Sequence, residues 1–173
     1  MLIKWASWVH PFYAVGDHPF IMTGEGEIAE LLANTSLLIQ PGDLILVSID
    51  KAEEEKVMAV VDTLEAFSSV TFDHAEVSLV LSSDDWDRLK GGFEGFEEEG
   101  PYRLITFDTV LDLSIVGFMA VVSARLAEAG VSIYALSTFL RDHILVKAED
   151  VDKAVDALTD LIEESRRKTQ RGR

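Results

Sequence analysis

Residues 102–147 read YRLITFDTVLDLSIVGFMAVVSARLAEAGVSIYALSTFLRDHILVK, and the order of elements within them decides the fold. YRLITF (102–107) is a short β-rich run, the signature of a strand. DLSIVGF (112–118) is a turn that drops into a helix, and MAVVSARLAEAG (119–130) carries that helix to a stop at Gly130. VSIYALS (131–137) and HILVK (143–147) are two further apolar runs, separated by the tight connection TFLRD. A last helix is visible in DVDKAVDALTDLIEES (150–165), where Val151, Ala154, Val155, Leu158, Leu161 and Ile162 form one apolar stripe. Strand, helix, strand, hairpin, strand, helix in this order is half or more of a ferredoxin-like α/β sandwich.

A fainter copy lies upstream. DLILVSI (43–49) reads as a strand, and KAEEEKVMAVVDTLEAF (51–67) as an amphipathic helix with Val57, Val60, Val61 and Leu64 at helical spacing. SSVTF (68–72) and VSLVLS (77–82) are strands about the turn DHAE. The order of 102–147 is thus repeated at an offset of about sixty residues, a weak internal repeat. Between the copies, DDWDRLKGGFEGFEEEGP (84–101) has the glycine and acid content of a linker, pinned at Trp86, Phe93 and Phe96. The first twenty residues, MLIKWASWVHPFYAVGDHPF, suggest one or two short strands, and GEGEIAELLANTSLLI (24–39) a short helix. The expected division is an N-terminal extension (1–42), a first unit with its linker (43–100), a second unit (101–165) and a disordered basic tail (166–173).

Composition narrows the function. The chain has 173 residues, 48% hydrophobic and 27% charged, as an ordinary globular protein does. Its net charge is -16, and the tail RRKTQRGR holds five of the fifteen basic side chains, so residues 1–165 carry ten basic against thirty-one acidic groups, or -21. Such a surface repels nucleic acid and anionic membranes. There is no cysteine, which excludes disulfides and thiolate metal sites and fits a cytoplasmic location. No apolar run approaches the length of a membrane span, and the N-terminus lacks a signal-type apolar core.

Catalytic chemistry finds little footing. His10, His18, His74 and His143 show no metal-ligand spacing, and no cofactor is implied. No nucleophile elbow, P-loop or dinucleotide-binding glycine pattern follows a strand; Gly24-Glu25-Gly26 lacks both the third glycine and the strand. A non-enzymatic protein is expected. Two positions invite a binding argument. Gly117 falls in the first turn of a helix, where free N–H groups hold an anion, though a glycine there equally serves close helix–sheet packing. Asp142 lies beside the hairpin, where an acidic residue is either a turn former or a ligand for a cation.

Three stretches carry a resemblance: Leu111-Asp112-Leu113-Ser114-Ile115-Val116-Gly117, then Leu126-Ala127-Glu128-Ala129-Gly130-Val131-Ser132-Ile133, then Ser137-Thr138-Phe139-Leu140-Arg141-Asp142-His143-Ile144-Leu145-Val146. Together they resemble an ACT domain, and more narrowly the second unit of the double-ACT family that includes the arginine-sensing CASTOR proteins and bacterial tandem proteins. Ser69-Val70-Thr71 followed by Glu76-Val77-Ser78-Leu79-Val80 is similar to the strand pair of that family's first unit. The resemblance implies an α+β fold: two ferredoxin-like βαββαβ ACT sandwiches side by side, forming one antiparallel sheet with helices on one face. It also implies a site for an amino acid or similar small ligand where the units meet. Ser114, Ile115, Val116 and Gly117 would offer backbone N–H groups to a carboxylate. Ser137, Thr138, Phe139 and Asp142 would line the hairpin, with Asp142 facing a cation, and Ser69 and Val70 would contribute from the first unit. Where the family has Thr-Asp in the hairpin, this chain has Arg141-Asp142, a cation placed to pair with Asp142 or crowd the pocket.

The expected function is therefore a non-catalytic regulatory or sensor module that binds an amino acid and acts as a homodimer. The alternative is an interaction protein that keeps the ACT units for assembly alone.

Overall fold

A computed structural model describes residues 24–64 and 67–171, so the strands expected in the first twenty residues lie outside the described part. The elements are α1 (Glu25–Ala33), β1 (Leu37–Ile39), β2 (Leu44–Asp50), α2 (Glu54–Val60), β3 (Ser69–Phe72), β4 (Glu76–Ser82), α3 (Ser83–Leu89), β5 (Phe96–Phe107), α4 (Phe118–Glu128), β6 (Tyr134–Ser137), β7 (Asp142–Lys147) and α5 (Val151–Arg171). The seven strands make one sheet in the order β3-β4-β2-β5-β7-β6, with β1 also beside β5, and every pairing is antiparallel.

Two ferredoxin-like units are visible in that order. The first is β2, α2, β3, β4, α3 and the front half of β5, a complete βαββαβ set. The second is the back half of β5, α4, β6, β7 and α5, and its fourth strand is β1, which pairs with Ile105–Phe107. The segment 25–39 is thus part of the second unit, and the first unit is inserted between β1 and β5.

β5 is the strand the units share. Its front half pairs with β2 and its back half with β7, and the changeover is a bulge: Leu46 opposes Glu99 and Leu44 opposes Tyr102, so Gly100 and Pro101 face Ile45 alone. Proline fits there because a bulge needs no ladder donor. Gly100 fits because a Cβ would lie 2.7 Å from Ile45 Cδ1 and 3.1 Å from the Leu44 carbonyl oxygen.

The stretch 84–101 departs from the linker expected of it. Trp86 on α3 is 1% exposed, stacks on Phe93 with ring centroids 6.0 Å apart, meets Phe96 edge-on at 5.0 Å, and donates its indole N–H to Glu98. The acidic run 97–99 reads as solvated loop by composition, yet its backbone pairs with β2 and its side chains alternate across the sheet. The basic tail likewise is helix to Arg171 instead of disordered chain. α1 lies along α5, Arg166 donates to the Ala33 carbonyl at the end of α1, and Arg167 pairs with Glu163 one turn back. The expected helices at 24–39 and 51–67 are shorter than their patterns: the first stops at Asn34, whose N–H closes its last turn, and the second is flanked by 3-10 turns at 51–53 and 61–63.

The register fixes which face each helix covers. Val47 and Ile49 of β2 and Val77, Leu79 and Leu81 of β4 pack with Val57 and Trp86. Ile105 and Phe107 of β5 and Ile144 and Val146 of β7 pack with Phe118, Val122, Leu126, Leu158 and, from α1, Ile28 and Leu32. Leu44 and Tyr102 are direct partners and belong to neither set, so both helical layers lie on the opposite face from them. The face without helices gathers its own cluster, Leu44, Val80, Tyr102, Leu104 and Leu145, against which Phe67 and Leu136 pack. Those last two come from opposite ends of the sheet, so the sheet curls round this cluster with its helices outside.

Candidate ligand-binding site

The chain leaves β5 at the hairpin end of β7, because Thr106 opposes His143. It then makes a ten-residue loop to α4, and the loop is stitched to the β6–β7 hairpin by the Leu111 N–H, which donates to the Leu140 carbonyl at 3.0 Å. Arg141 Nε reaches Asp108 Oδ1 at 3.2 Å, a second tie across the same gap. Arg141 is thus engaged with Asp108 and not with Asp142.

Gly117 is the N-cap of α4 with φ 103°, a left-handed conformation that costs an L side chain about 1–2 kcal/mol. No side chain caps α4, so the first-turn amides of this eleven-residue helix have no side-chain acceptor among the described residues. One turn earlier the chain uses its own carboxylate: Asp112 Oδ1 accepts from the Ser114 N–H at 2.9 Å and from its hydroxyl at 2.6 Å. Those Ser114 hydrogen bonds, side chain first, hold the Asp112 carboxyl below the usual carboxylate range. The Ile115 N–H donates to the Asp112 carbonyl, and the Ile115 side chain packs on the second unit's core.

On the hairpin, the Ser137 hydroxyl donates to Asp142 Oδ1 at 2.6 Å, and the two residues are direct cross-strand partners. They continue the row of Ile144 and Val146, so they stand on the face that carries α4. Thr138 turns the other way: its N–H and hydroxyl both donate to the Arg141 carbonyl, and its Oγ1 lies 3.3 Å from His143 Nε2. His143 is buried and meets the Thr106 hydroxyl through Nδ1 at 2.9 Å, and burial pushes its pKa down. Phe139 is 77% exposed at the hairpin tip.

The structure therefore ties the loop that leads through Ser114–Gly117 to the hairpin that holds Ser137 and Asp142, by way of Leu111–Leu140 and Asp108–Arg141. Ser69 and Val70 sit in the other unit, Val70 packed into its core. The first unit reaches the hairpin instead through Phe67, whose ring centre is 5.2 Å from that of His143. Nothing local in the sequence marks that contact, since the two residues are far apart in the chain. Two hollows lie apart from this loop and hairpin. One, of about 400 Å³, is lined by residues including Ser48, Ser78, Glu97, Glu99 and Tyr134, and the other, of about 550 Å³, lies between Gln40–Leu44, Phe67 and Ser82–Asp85. Neither takes in any of the ten residues expected at the site. Beside the first, Glu76 accepts from the hydroxyls of Ser48 and Ser78, which lower its pKa. Among the described residues no group of His, Asp and Glu is disposed to hold a metal ion, and no helix is long and apolar enough to cross a membrane.

This geometry defines a two-unit ferredoxin-like α+β module. Residues 97–160, from the middle of β5 into α5, match the family model of the ACT domain, and that span takes in both the start of α4 and the hairpin. No curated protein matches the sequence. Among solved structures, the chain is similar to a protein of unknown function from Vibrio cholerae, at 26% identity and TM-score 0.58 over 76% of this chain and 94% of that one. It is also similar to a protein from Agobacterium tumefaciens, at 24% identity and TM-score 0.62 over 74% and 89%. The ligand-free regulatory subunit of aspartate kinase from Thermus thermophilus shares the fold at 11% identity and TM-score 0.54, over 73% of this chain and 97% of that one.

Proposed function

We propose that this chain is a regulatory module of the ACT type that binds an amino acid or similar small zwitterion between the start of α4 and the β6–β7 hairpin. The observation that carries this is the uncapped first turn of α4, opened by left-handed Gly117, beside a hairpin that presents Asp142 on the same face of the sheet. Amides and the positive end of a helix suit a carboxylate, and a carboxylate suits an ammonium group. The match of 97–160 to the ACT domain and the likeness to an aspartate kinase regulatory subunit support the class of function. The module acts without catalysis of its own, as a homodimer, through coupling between the hairpin and the first unit by way of His143 and Phe67.

One observation favours the second reading, an assembly module with no ligand: the Ser114 amide and hydroxyl are already occupied by Asp112, which leaves fewer donors for a bound carboxylate. Thermal denaturation of the full chain with each common amino acid at millimolar concentration separates the two. At least one should raise the melting temperature, and Asp142→Ala should remove the rise while leaving the unliganded melt within a few degrees. If no amino acid shifts the melt, the assembly reading stands.

A further inference from the structure

We infer that the outer edge of β1, with the hollow that continues it, is the seat of this chain's own residues 1–23. β1 pairs with β5 and with no other strand among the described residues. β4, which flanks β2, ends at Ser82 opposite Leu44, so no described strand runs on beside β1 and the sheet has a notch there. The register fixes which groups face into it. The Gln40 N–H donates to the Leu104 carbonyl and the Asp108 N–H to the Ser36 carbonyl, so residues 36, 38 and 40 bond inward to β5. The backbone groups of Leu37 and Ile39 therefore point outward into the notch.

This edge is apolar on both faces of the sheet. Leu38, opposite Thr106, is 45% exposed, and Ile39, opposite Ile105 on the other face, is 44% exposed. Natural sheets protect a free edge with charge, proline or a covering segment, and Leu37–Ile39 has neither charge nor proline. From Gln40 the hollow of about 550 Å³ carries the notch on past Leu44, Phe67 and the start of α3.

The segment 1–23 suits this place in composition and in reach. Fourteen of its 23 residues are hydrophobic, and Lys4 and Asp17 cancel, so the net charge of -16 lies wholly on the rest of the chain. A neutral apolar segment is an occupant that such a surface does not repel. FYAV (12–15), between Pro11 and Gly16, has strand composition, and its alternate side chains are apolar on both sides, as the two-faced edge requires. The segment enters α1 at Gly24, and only residues 34–36 separate the end of α1 from β1. α1 has nine residues and is about 14 Å long, whereas the stretch 16–24, when extended, spans up to about 30 Å. Tethered at Gly24, the segment meets the edge at the high effective concentration of an intramolecular partner, an advantage that a second copy lacks.

The full chain has no cysteine, so Ala14→Cys carries a single nitroxide label and tests the inference by nuclear magnetic resonance. The label should erase the amide signals of Leu38, Ile39 and Gly42 and leave those of Leu113 and Leu140, and its reduction should restore them. In the unsubstituted chain, the outward amides of Leu37 and Ile39 should exchange with deuterium as slowly as the inward amide of Leu38. Signal loss centred on Leu113 and Leu140, or confined to the label's neighbours in sequence, overturns the inference. Fast exchange at both outward amides does the same, with no substitution involved. A mixture of nitroxide-labelled chain with isotope-labelled, nitroxide-free chain guards against a partner in trans: loss at β1 in that sample assigns the edge to a second copy and overturns the intrachain reading.

Discussion

At the scale of single residues, His143 joins the hairpin, β5 and the first unit. It is 6% exposed, lies within hydrogen-bonding distance of Thr106 and Thr138, and touches the ring of Phe67 from the other unit. Burial lowers its pKa from an ordinary value of 6.5, opposed by the charge of Asp142 and reinforced by that of Arg141. The folded state therefore binds a proton less readily than the unfolded chain, and stability rises with pH where the unfolded histidine titrates. Between pH 7.5 and 5.5 the urea midpoint should fall, and His143→Gln, which keeps a hydrogen-bonding side chain without the titration, should flatten that fall. An unchanged slope in the variant would assign the pH dependence to other groups. The motif residues around Gly117 and Ser137–Asp142 were legible because their geometry is local: a left-handed cap, an Asx turn at Asp112, a tight hairpin. Phe67 and the Arg141–Asp108 pair were not, because each depends on how distant segments meet.

At the scale of elements, the second unit could be read from sequence because its apolar spacing is regular and its ends are marked, as at Gly130 (φ 66°). The stretch 84–101 differs from a linker for a physical reason that its composition hides: α3 is only seven residues long, and β5 enters the sheet through Phe96-Glu97-Glu98-Glu99, whose acids look like loop. What holds them is tertiary burial of Trp86 and Phe93 and backbone pairing with β2, neither of which leaves a periodic trace. A linker would tolerate the loss of an aromatic ring. In this structure Trp86→Ala empties the centre of the first unit's core, so equilibrium unfolding should show a loss of about 3–5 kcal/mol. A loss below about 1 kcal/mol would mean that α3 is not part of the core. The long helix α5 makes the same point from the other end of the chain. Its basic last turns have no apolar stripe, but Lys168 and Arg171 suit the negative end of a helix dipole and Arg166 binds the end of α1.

At the scale of the whole molecule, two demands oppose each other. Each copy carries a net charge of -16, which keeps copies apart, while the homodimer proposed above brings them together. Fifteen basic groups cannot neutralise thirty-one acidic ones, and ion pairs such as Arg141–Asp108 are already made within one copy. Association then rests on apolar burial and works against long-range repulsion. Salt weakens the repulsion, whose range falls to about 8 Å at physiological ionic strength, and leaves the apolar contribution in place. The dimer should therefore tighten as sodium chloride is raised from about 0.02 M to about 0.3 M, seen as a larger dimer fraction in sedimentation at fixed protein concentration. An interface made of ion pairs would loosen over the same range. The direction of that change separates an apolar interface from one built on ion pairs, and it does so without any substitution that would disturb the hairpin and its neighbouring site.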